Sequence, residues 1–266
     1  MIAASLTPDD YARARRALMR RDPILGDAVK RIGPCGMAAR QHSHHLTALV
    51  RAIVSQQLSS KAAATIFGRF AALFPADVPL SAGAIAELSD QQMRGVGLSG
   101  QKLSYMRDLS ARVLDGRLKL DELETLPDAD VIERLTAVRG FGQWTAEMFL
   151  MFRLHRPDIL PVGDLGIVNA VQRLYGLRER PNAKRLTEIG EAWRPYRSVA
   201  CWYLWQSLSH PAMRDRMAAS TAAAGAAKRG KKRGKKKRAN QAGARPASTR
   251  STTTSRRAAP TRRRSR

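Results

Sequence analysis

Asp164 is the residue of this chain whose type and position are best suited to chemistry. It follows the short loop Pro161-Val162-Gly163 and stands just before a predicted helix that begins near Leu165. A carboxylate in such a place is able to stabilise a developing positive charge and to orient an attacking water molecule. Aspartate is also a preferred helix N-cap, which is the structural alternative. A cap would hold the side chain at the mouth of the helix, so the two roles are compatible.

Two further titratable residues precede Asp164. Asp158 is the nearest rival carboxylate, and because it stands before the turn at Pro161 we predict that it is solvated. His155 is the only histidine in this part of the chain. We predict that it lies at the surface and takes no part in catalysis, which leaves Asp164 as the catalytic candidate.

The residues before this loop predict two helices joined by a tight turn. The first begins with Asp128 as N-cap, and its apolar residues share one face: Val131, Ile132, Leu135 and Val138. The second, from Gln143 to Leu154, is too apolar to be a surface helix. Glycine in the intervening Arg139-Gly140-Phe141-Gly142 permits positive φ and a close approach to the backbone. The free N–H groups that follow suit a phosphate oxygen, although a plain helix connection is the alternative.

Helix signals also dominate the rest of the chain. Residues that typically start helices recur along it: Thr7, Pro23, Ser59, Ser81 and Ser99. Residues 45–58 predict a strong amphipathic helix that runs into Gln56-Gln57. No sustained alternation of apolar and polar residues indicates a strand. The sequence therefore predicts an all-α fold, a helical bundle split into two lobes around a cleft.

The charge is strongly positive and unevenly distributed. The net charge is +25, and the segment from Lys228 to Arg266 holds 17 Lys or Arg and no acidic residue, so residues 1–227 keep +8. Both parts favour a polyanionic partner, most simply nucleic acid. We predict a helical domain at 1–213 and a disordered Lys/Arg-rich tail at 214–266. Such a tail would bind DNA without sequence preference, or else be merely solvated.

Several protein classes are disfavoured by composition. The first ten residues lack the features of a signal peptide, and no apolar run approaches the ~20 residues of a membrane span. Two cysteines without paired spacing, Cys35 and Cys201, fit a reducing compartment. We expect a cytoplasmic, nucleoid-associated bacterial protein that is monomeric and has no membrane partner.

Two motifs together resemble a known family. The segment VRGFGQWTAE resembles the helix-hairpin-helix of the base-excision DNA glycosylases, and PVGDLGI resembles their Gly/Pro-rich loop with its essential aspartate. The similarity spans roughly residues 8–210 and is greatest to the DNA-3-methyladenine glycosylase II branch, which acts in alkylation repair. It implies a helix-hairpin-helix at about 128–154 and a catalytic loop at 160–167. It also implies that Asp164 assists the removal of alkylated purines, of the 3-methyladenine type, from duplex DNA.

One position within the resemblance separates two reaction types. Relatives that also cut the strand carry a Schiff-base lysine at the position of Trp144, and no lysine lies between Lys119 and Lys184 here. The resemblance therefore implies a monofunctional glycosylase that uses water and requires no cofactor. Two cysteines cannot ligate the iron–sulfur cluster of some relatives. The alternatives are a glycosylase for another lesion, deaminated or oxidised, and a non-catalytic helix-hairpin-helix DNA-binding protein.

The resemblance also implies a pocket for the extruded base. Trp144 and Trp205 stand at positions whose rings line that pocket, and indole faces attract a cationic alkylated base. The alternative is that both are core residues, which is what we predict for Trp193 and Trp202. Met148 stands where relatives can have an aromatic ring, so we include it in the pocket.

The remaining assignments concern DNA. By resemblance, Gln57, with Leu58 beside it, enters the duplex and fills the space of the extruded base; the alternative is an ordinary helix end. Further DNA contacts are predicted around the turn: Arg139, Gly140, Gly142, Gln143 and Thr145. Backbone carbonyls of Thr136, Val138 and Phe141 are the predicted ligands of a Na⁺ or K⁺ ion that bridges to phosphate.

Overall fold

The computed structural model describes residues 5–39, 44–75 and 78–213. The first half of these residues forms α1 (Pro8–Arg21), α2 (Pro23–Ile32), α3 (His45–Ser55), α4 (Ser60–Ala71), α5 (Ala82–Glu87) and α6 (Asp90–Gly95). The second half forms α7 (Gly100–Leu114), α8 (Asp128–Thr136), α9 (Gln143–Phe152), α10 (Leu165–Leu174), α11 (Ala183–Gly190) and α12 (Arg197–Ser209). Short 3₁₀ helices lie at Gly36–Ala39, Leu120–Glu122, Glu191–Trp193 and Pro211–Met213. No strand occurs in these ranges, which confirms the all-α prediction.

The predicted helix starts are confirmed because each cap forms its hydrogen bond. Thr7 and Asp10 make a reciprocal capping box at the start of α1. Ser59, Ser81 and Ser99 each accept a backbone N–H of the helix that follows. Such caps satisfy N–H groups that the helix itself leaves without a partner.

The helices pack in two groups within one unit. In the first group α2 packs on α1 and α12, and α12 packs on α10. In the second, α3 packs on α4, α7 and α9, and α8 packs on α9. These groups correspond to the predicted lobes, and the segment from Arg153 to Asp164 joins α9 of one to α10 of the other. Trp193 and Trp202 are buried in the core, as predicted.

The prediction that His155 lies at the surface is wrong. Its side chain is only 5% exposed, and its Nδ1 lies 2.6 Å from the hydroxyl of Tyr11. Its backbone carbonyl accepts the N–H of Leu6. The N-terminal segment therefore covers this histidine, and that packing joins residues too distant in sequence for local patterns to reveal.

Asp158 was also predicted to be solvated, and this is wrong. Its carboxylate accepts hydrogen bonds from the guanidinium groups of Arg194 and Arg197, at 2.7 Å and 2.6 Å. Ser198, at the start of α12, adds a hydrogen bond from its Oγ to the carbonyl of Arg156. The segment that leads to Asp164 is therefore fastened to α12 and is not a free loop.

Two helix ends also differ from the predictions. Asp128 is the first residue of α8 and Pro127 is its N-cap, because the Asp128 carboxylate faces the guanidinium of buried Arg156 at 3.3 Å. The helix predicted at 45–58 ends at Ser55. Its C-cap, Gln56, leaves the helical conformation with ψ 129°, and Gln57 follows with a left-handed φ of +57°.

The predicted disorder and DNA binding of the tail at 214–266 concern residues outside the described ranges. Within the described part of the chain, no helix has the length and apolar character needed to cross a bilayer.

Asp22 joins three elements of the first helix group. Its Oδ1 accepts the N–H groups of Ile24 and Leu25 at the start of α2, both at 3.0 Å. Its Oδ2 accepts the indole N–H of Trp193 at 2.8 Å and the hydroxyl of Tyr175. The residue is 7% exposed, so these donors replace the water that an exposed carboxylate would have.

We expect Asp22→Ala to lower the free energy of unfolding by about 3 kcal/mol, because a helix cap is lost and buried donors are left without an acceptor. Chemical denaturation measures this difference. The control is Asp9→Ala on α1, whose exposed side chain should change stability by no more than about 0.5 kcal/mol. Equal effects of the two substitutions would contradict the role given to Asp22.

Candidate active site and DNA-binding surface

Three N–H groups from three helices converge on the carboxylate of Asp164. Asp164 is the N-cap of α10, and its Oδ1 accepts the backbone N–H of Ile167 at 2.8 Å. The same oxygen accepts the indole N–H of Trp205 on α12 at 2.9 Å. Its Oδ2 accepts the indole N–H of Trp144 on α9 at 2.7 Å. Both oxygens are thereby fixed in direction, and the cap that sequence analysis gave as the structural alternative is present.

Gly166 makes the contact between Trp205 and Asp164 possible, and sequence analysis missed it. A Cβ at this position would lie 2.9 Å from Cδ1 and 3.0 Å from Nε1 of Trp205, and 3.0 Å from Oδ1 of Asp164. A larger residue would therefore push the indole away from the carboxylate. The glycine of the motif PVGDLGI was visible in the sequence, but its contact with α12 was not.

The indole rings of Trp144 and Trp205 differ in exposure. Trp144 is 52% exposed, an unusual state for so large an apolar ring. Trp205 is half-buried, and Phe152 of α9 stacks on it with ring centroids 5.7 Å apart. Met148 is half-buried and packs against the core. The two predicted pocket tryptophans therefore flank Asp164. The indole of Trp144 is exposed, and that of Trp205 is covered by Phe152.

Glu147 is a second carboxyl near Asp164 that sequence analysis did not identify. It lies on α9, is 7% exposed, and accepts a hydrogen bond from the Nε2 of Gln143 at 2.9 Å. Burial raises the pKa of Glu147, and the charge of Asp164 raises it further, against the opposing effect of Gln143. Gln143, which was predicted to contact DNA, thus already has a protein partner for its amide nitrogen.

Cys201 of α12 is buried in the same region. Burial raises the pKa of its thiol well above the ordinary value, and the charge of Asp164 adds to this effect. Its Sγ lies 3.9 Å from the carbonyl of Ile159. Burial and the charge of Asp164 therefore both favour the neutral thiol.

The predicted hairpin turn joins α8 to α9. Gly140 adopts φ +82°, and the ring of Tyr105 lies so close that a Cβ at Gly140 would be 2.2 Å from it. Gly142 is the N-cap of α9 and supplies no side-chain cap. Phe141 is buried, whereas Arg139, Gly140 and Gly142 are exposed. The first N–H groups of α9 are thus accessible beside an exposed glycine backbone, which is the arrangement that suits a phosphate.

The carbonyls proposed as cation ligands belong to this turn. The Val138 carbonyl accepts the N–H of Phe141 at 3.1 Å. A carbonyl has two lone pairs, so this bond leaves one for a cation. Oxygen atoms of this kind are suitable ligands for hard cations.

Gln57 and Leu58 lie next to the turn. Gln57 is exposed at positive φ, and Leu58 is 38% exposed, so both side chains project from the end of α3. Gln56 connects them to the turn, since its Nε2 donates to the carbonyl of Gly140 at 2.8 Å. The structure therefore brings together the two predicted DNA-binding segments, which are 84 residues apart in sequence.

Comparisons with known proteins give a consistent result. A family model described as "HhH-GPD superfamily base excision DNA repair protein" matches residues 50–195, more than half of the chain. Over 160 residues the chain is 36% identical to DNA-3-methyladenine glycosylase 1 of Schizosaccharomyces pombe, which covers 60% of this chain and 70% of that relative.

Solved structures extend this similarity to the fold. The Schizosaccharomyces pombe 3-methyladenine DNA glycosylase Mag1, in complex with abasic DNA, matches with a TM-score of 0.67 and 31% identity over 75% of this chain and 98% of that one. A DNA-3-methyladenine glycosidase of Bacillus halodurans matches with a TM-score of 0.64 and 38% identity over 74% and 89%. The matched segment contains the hairpin turn and the loop of Asp164, and the chain belongs to the HhH-GPD superfamily of base excision DNA repair proteins.

Proposed function

We propose that this protein is a monofunctional DNA glycosylase that removes alkylated purines, of the 3-methyladenine type, from duplex DNA. The observation that carries the proposal is the Asp164 carboxylate, held by Trp144 and Trp205 beside an exposed indole face. The relatives with solved structures that are named as 3-methyladenine glycosylases support this substrate class. The protein would act as a monomer on nucleoid DNA in the cytoplasm, without a required cofactor.

The chemistry follows from a fixed negative charge. Cleavage of the N-glycosidic bond passes through a cationic sugar, which a nearby carboxylate stabilises. Because three donors already orient the carboxylate of Asp164, little reorganisation is needed as charge develops. The same carboxylate would orient the attacking water. An alkylated purine is a good leaving group, so the reaction needs no strong general acid.

The indole rings would select the damaged base. A purine alkylated at a ring nitrogen is cationic, and each indole face would attract it by about 0.5–2 kcal/mol. Trp144, half exposed, is accessible for this contact. Trp144 also occupies the place where a lyase would carry its amine, so a covalent route lacks its nucleophile.

The hairpin turn would bind the DNA backbone, and the segment of Gln57 and Leu58 beside it would separate the stacked bases. The N–H groups at the start of α9 would bind a phosphate, with a Na⁺ or K⁺ ion at the carbonyls of Thr136, Val138 and Phe141. Gln57 would enter the duplex and fill the gap left by the extruded base, since the target atom cannot be reached inside the stack. The Lys/Arg-rich tail would add affinity that falls with salt.

Asp164→Asn should slow base release from methylated duplex DNA by about 100- to 1,000-fold, since the charge that stabilises the transition state is lost. Asparagine is also a good N-cap, so α10 and duplex binding should be retained. Free base and strand nicks are measured together, and wild-type protein should release base without nicking.

Asp158→Asn is the control for this experiment, because Asp158 is the other carboxylate of the segment. It should lower the melting temperature by weakening the bonds to Arg194 and Arg197, with base release within a few-fold of wild type. Strand cleavage by wild-type protein would contradict the monofunctional assignment. Unchanged release by Asp164→Asn would remove Asp164 from the mechanism.

Gly166→Ala should slow base release by about tenfold without lowering the melting temperature, since alanine favours a helix by about 1 kcal/mol but displaces the Trp205 indole. Gly68→Ala in α4 is the matched control, because its Cβ would meet nothing within 4 Å. A normal rate for Gly166→Ala would show that the contact of Trp205 with Asp164 is dispensable.

Gly142→Ala should weaken duplex binding by about tenfold, because a methyl group would block the approach of a phosphate to the turn. Gly142 has a negative φ and open space at its Cβ, so the fold should tolerate alanine. Gly83→Ala in α5, where the Cβ also meets nothing, is the control. Fluorescence anisotropy on undamaged duplex measures the affinities, and equal affinity of both variants would exclude the turn as a phosphate site.

A further inference from the structure

Helix α7 touches both of the segments proposed to engage DNA. Three of its side chains, spaced three residues apart along one side, make these contacts: Lys102, Tyr105 and Asp108. None of them was identified from the sequence. Lys102 and Asp108 contact backbone atoms, and Tyr105 contacts a glycine. All three contacts therefore fix the position of the main chain.

Lys102 holds the end of α3. Its Nζ donates to the carbonyl of Val54 at 2.6 Å, two residues before Gln56. Burial lowers the pKa of Lys102, so the ammonium group is partly withdrawn from water. The ammonium group of Lys102 therefore binds a carbonyl at the C-terminal end of α3, where a positive charge is favourable. It differs in this from an ordinary exposed lysine.

Asp108 and Tyr105 hold the hairpin turn. The Oδ2 of Asp108 accepts the backbone N–H of Arg139 at 2.8 Å. The same carboxylate is fixed by Arg112 at 2.9 Å, one turn further along α7. The ring of Tyr105 covers Gly140 so closely that no side chain would fit there. The backbone conformation of the turn is thus determined by contacts from α7 as well as by its glycines.

The third connection closes the set. Gln56 donates to the carbonyl of Gly140 at 2.8 Å, which joins the end of α3 directly to the turn. The end of α3, the turn and α7 are therefore linked pairwise, each to both of the others. These three connections fix the end of α3, from which Gln57 projects, relative to the turn.

We propose that Lys102, Gln56 and Asp108 are positioning residues that set the separation between Gln57 and the hairpin turn, so that gripping a phosphate and extruding a base occur together. This inference rests on the proposed glycosylase function. None of the three needs to touch the base or the reacting atoms. When the connections are broken, the turn should still bind DNA, but Gln57 should no longer be held against the stack.

Arg107 provides a matched control on the same helix. It too places a cation on carbonyls at a helix end, with its Nη1 2.8 Å from the carbonyl of Ala86. That helix is α5, away from Gln57 and the turn. Arg107→Met removes the same charge as Lys102→Met and bonds of the same kind, together with an ion pair to Asp90. Only Lys102→Met removes a connection to the end of α3.

The test compares an alkylated purine opposite its normal partner with the same purine opposite an abasic analogue, where extrusion is easier. Single-turnover base release is measured with excess protein. Lys102→Met should slow release from the paired duplex by about tenfold and from the unpaired one by less than about twofold. Gln56→Ala should show the same preference, and Arg107→Met should slow release from neither, even if its melting temperature falls as far.

Other outcomes have separate meanings. Lys102→Met could slow base release from both duplexes equally, or Arg107→Met could also slow release from the paired duplex more than from the unpaired one. Either result would mean that lost charge or stability is responsible, and the inference would be overturned. If wild-type protein releases base from neither substrate, the proposed function itself is wrong. If wild type is active and all three variants match it, α7 has no part in extrusion.

Discussion

The candidate active site depends on one carboxylate that accepts N–H groups from three helices. A carboxylate in water rotates freely. The carboxylate of Asp164 is held in one orientation by the end of α10, by Trp144 and by Trp205. This arrangement requires α9, α10 and α12 to meet at one point. Ser198 serves that requirement, because its hydrogen bond to the carbonyl of Arg156 fastens the segment between α9 and α10 to α12.

The sequence was sufficient to predict the all-α class, several helix starts and the motif, because these depend on local pattern. Serine and aspartate caps and apolar faces act within one or two turns of a helix, so they can be recognised without a structure. The glycines of the turn and the position of Asp164 are local in the same sense. The second helix of the hairpin and the all-α class were therefore predictable.

What the sequence could not predict arises from contacts between distant segments. His155 was assigned to the surface, and only its packing against Tyr11 shows that it is buried. Gly166 has no distinguishing pattern of its own, since its importance lies in the nearness of Trp205. The hydrogen bonds of the indole N–H groups to Asp164 were missed for the same reason. Tryptophan at a pocket position predicted a ring face for the base, whereas its hydrogen bond to a carboxylate has no signature in the sequence.

The burial of Cys201 shields this thiol from alkylating agents. The thiolate, not the thiol, is the form of cysteine that reacts as a nucleophile with such electrophiles. Cys201 is inaccessible and its pKa is raised well above the ordinary value, so it offers neither the surface nor the ionised sulfur for that reaction. Burial is the main cause of this raised pKa, and the charge of Asp164 acts in the same direction.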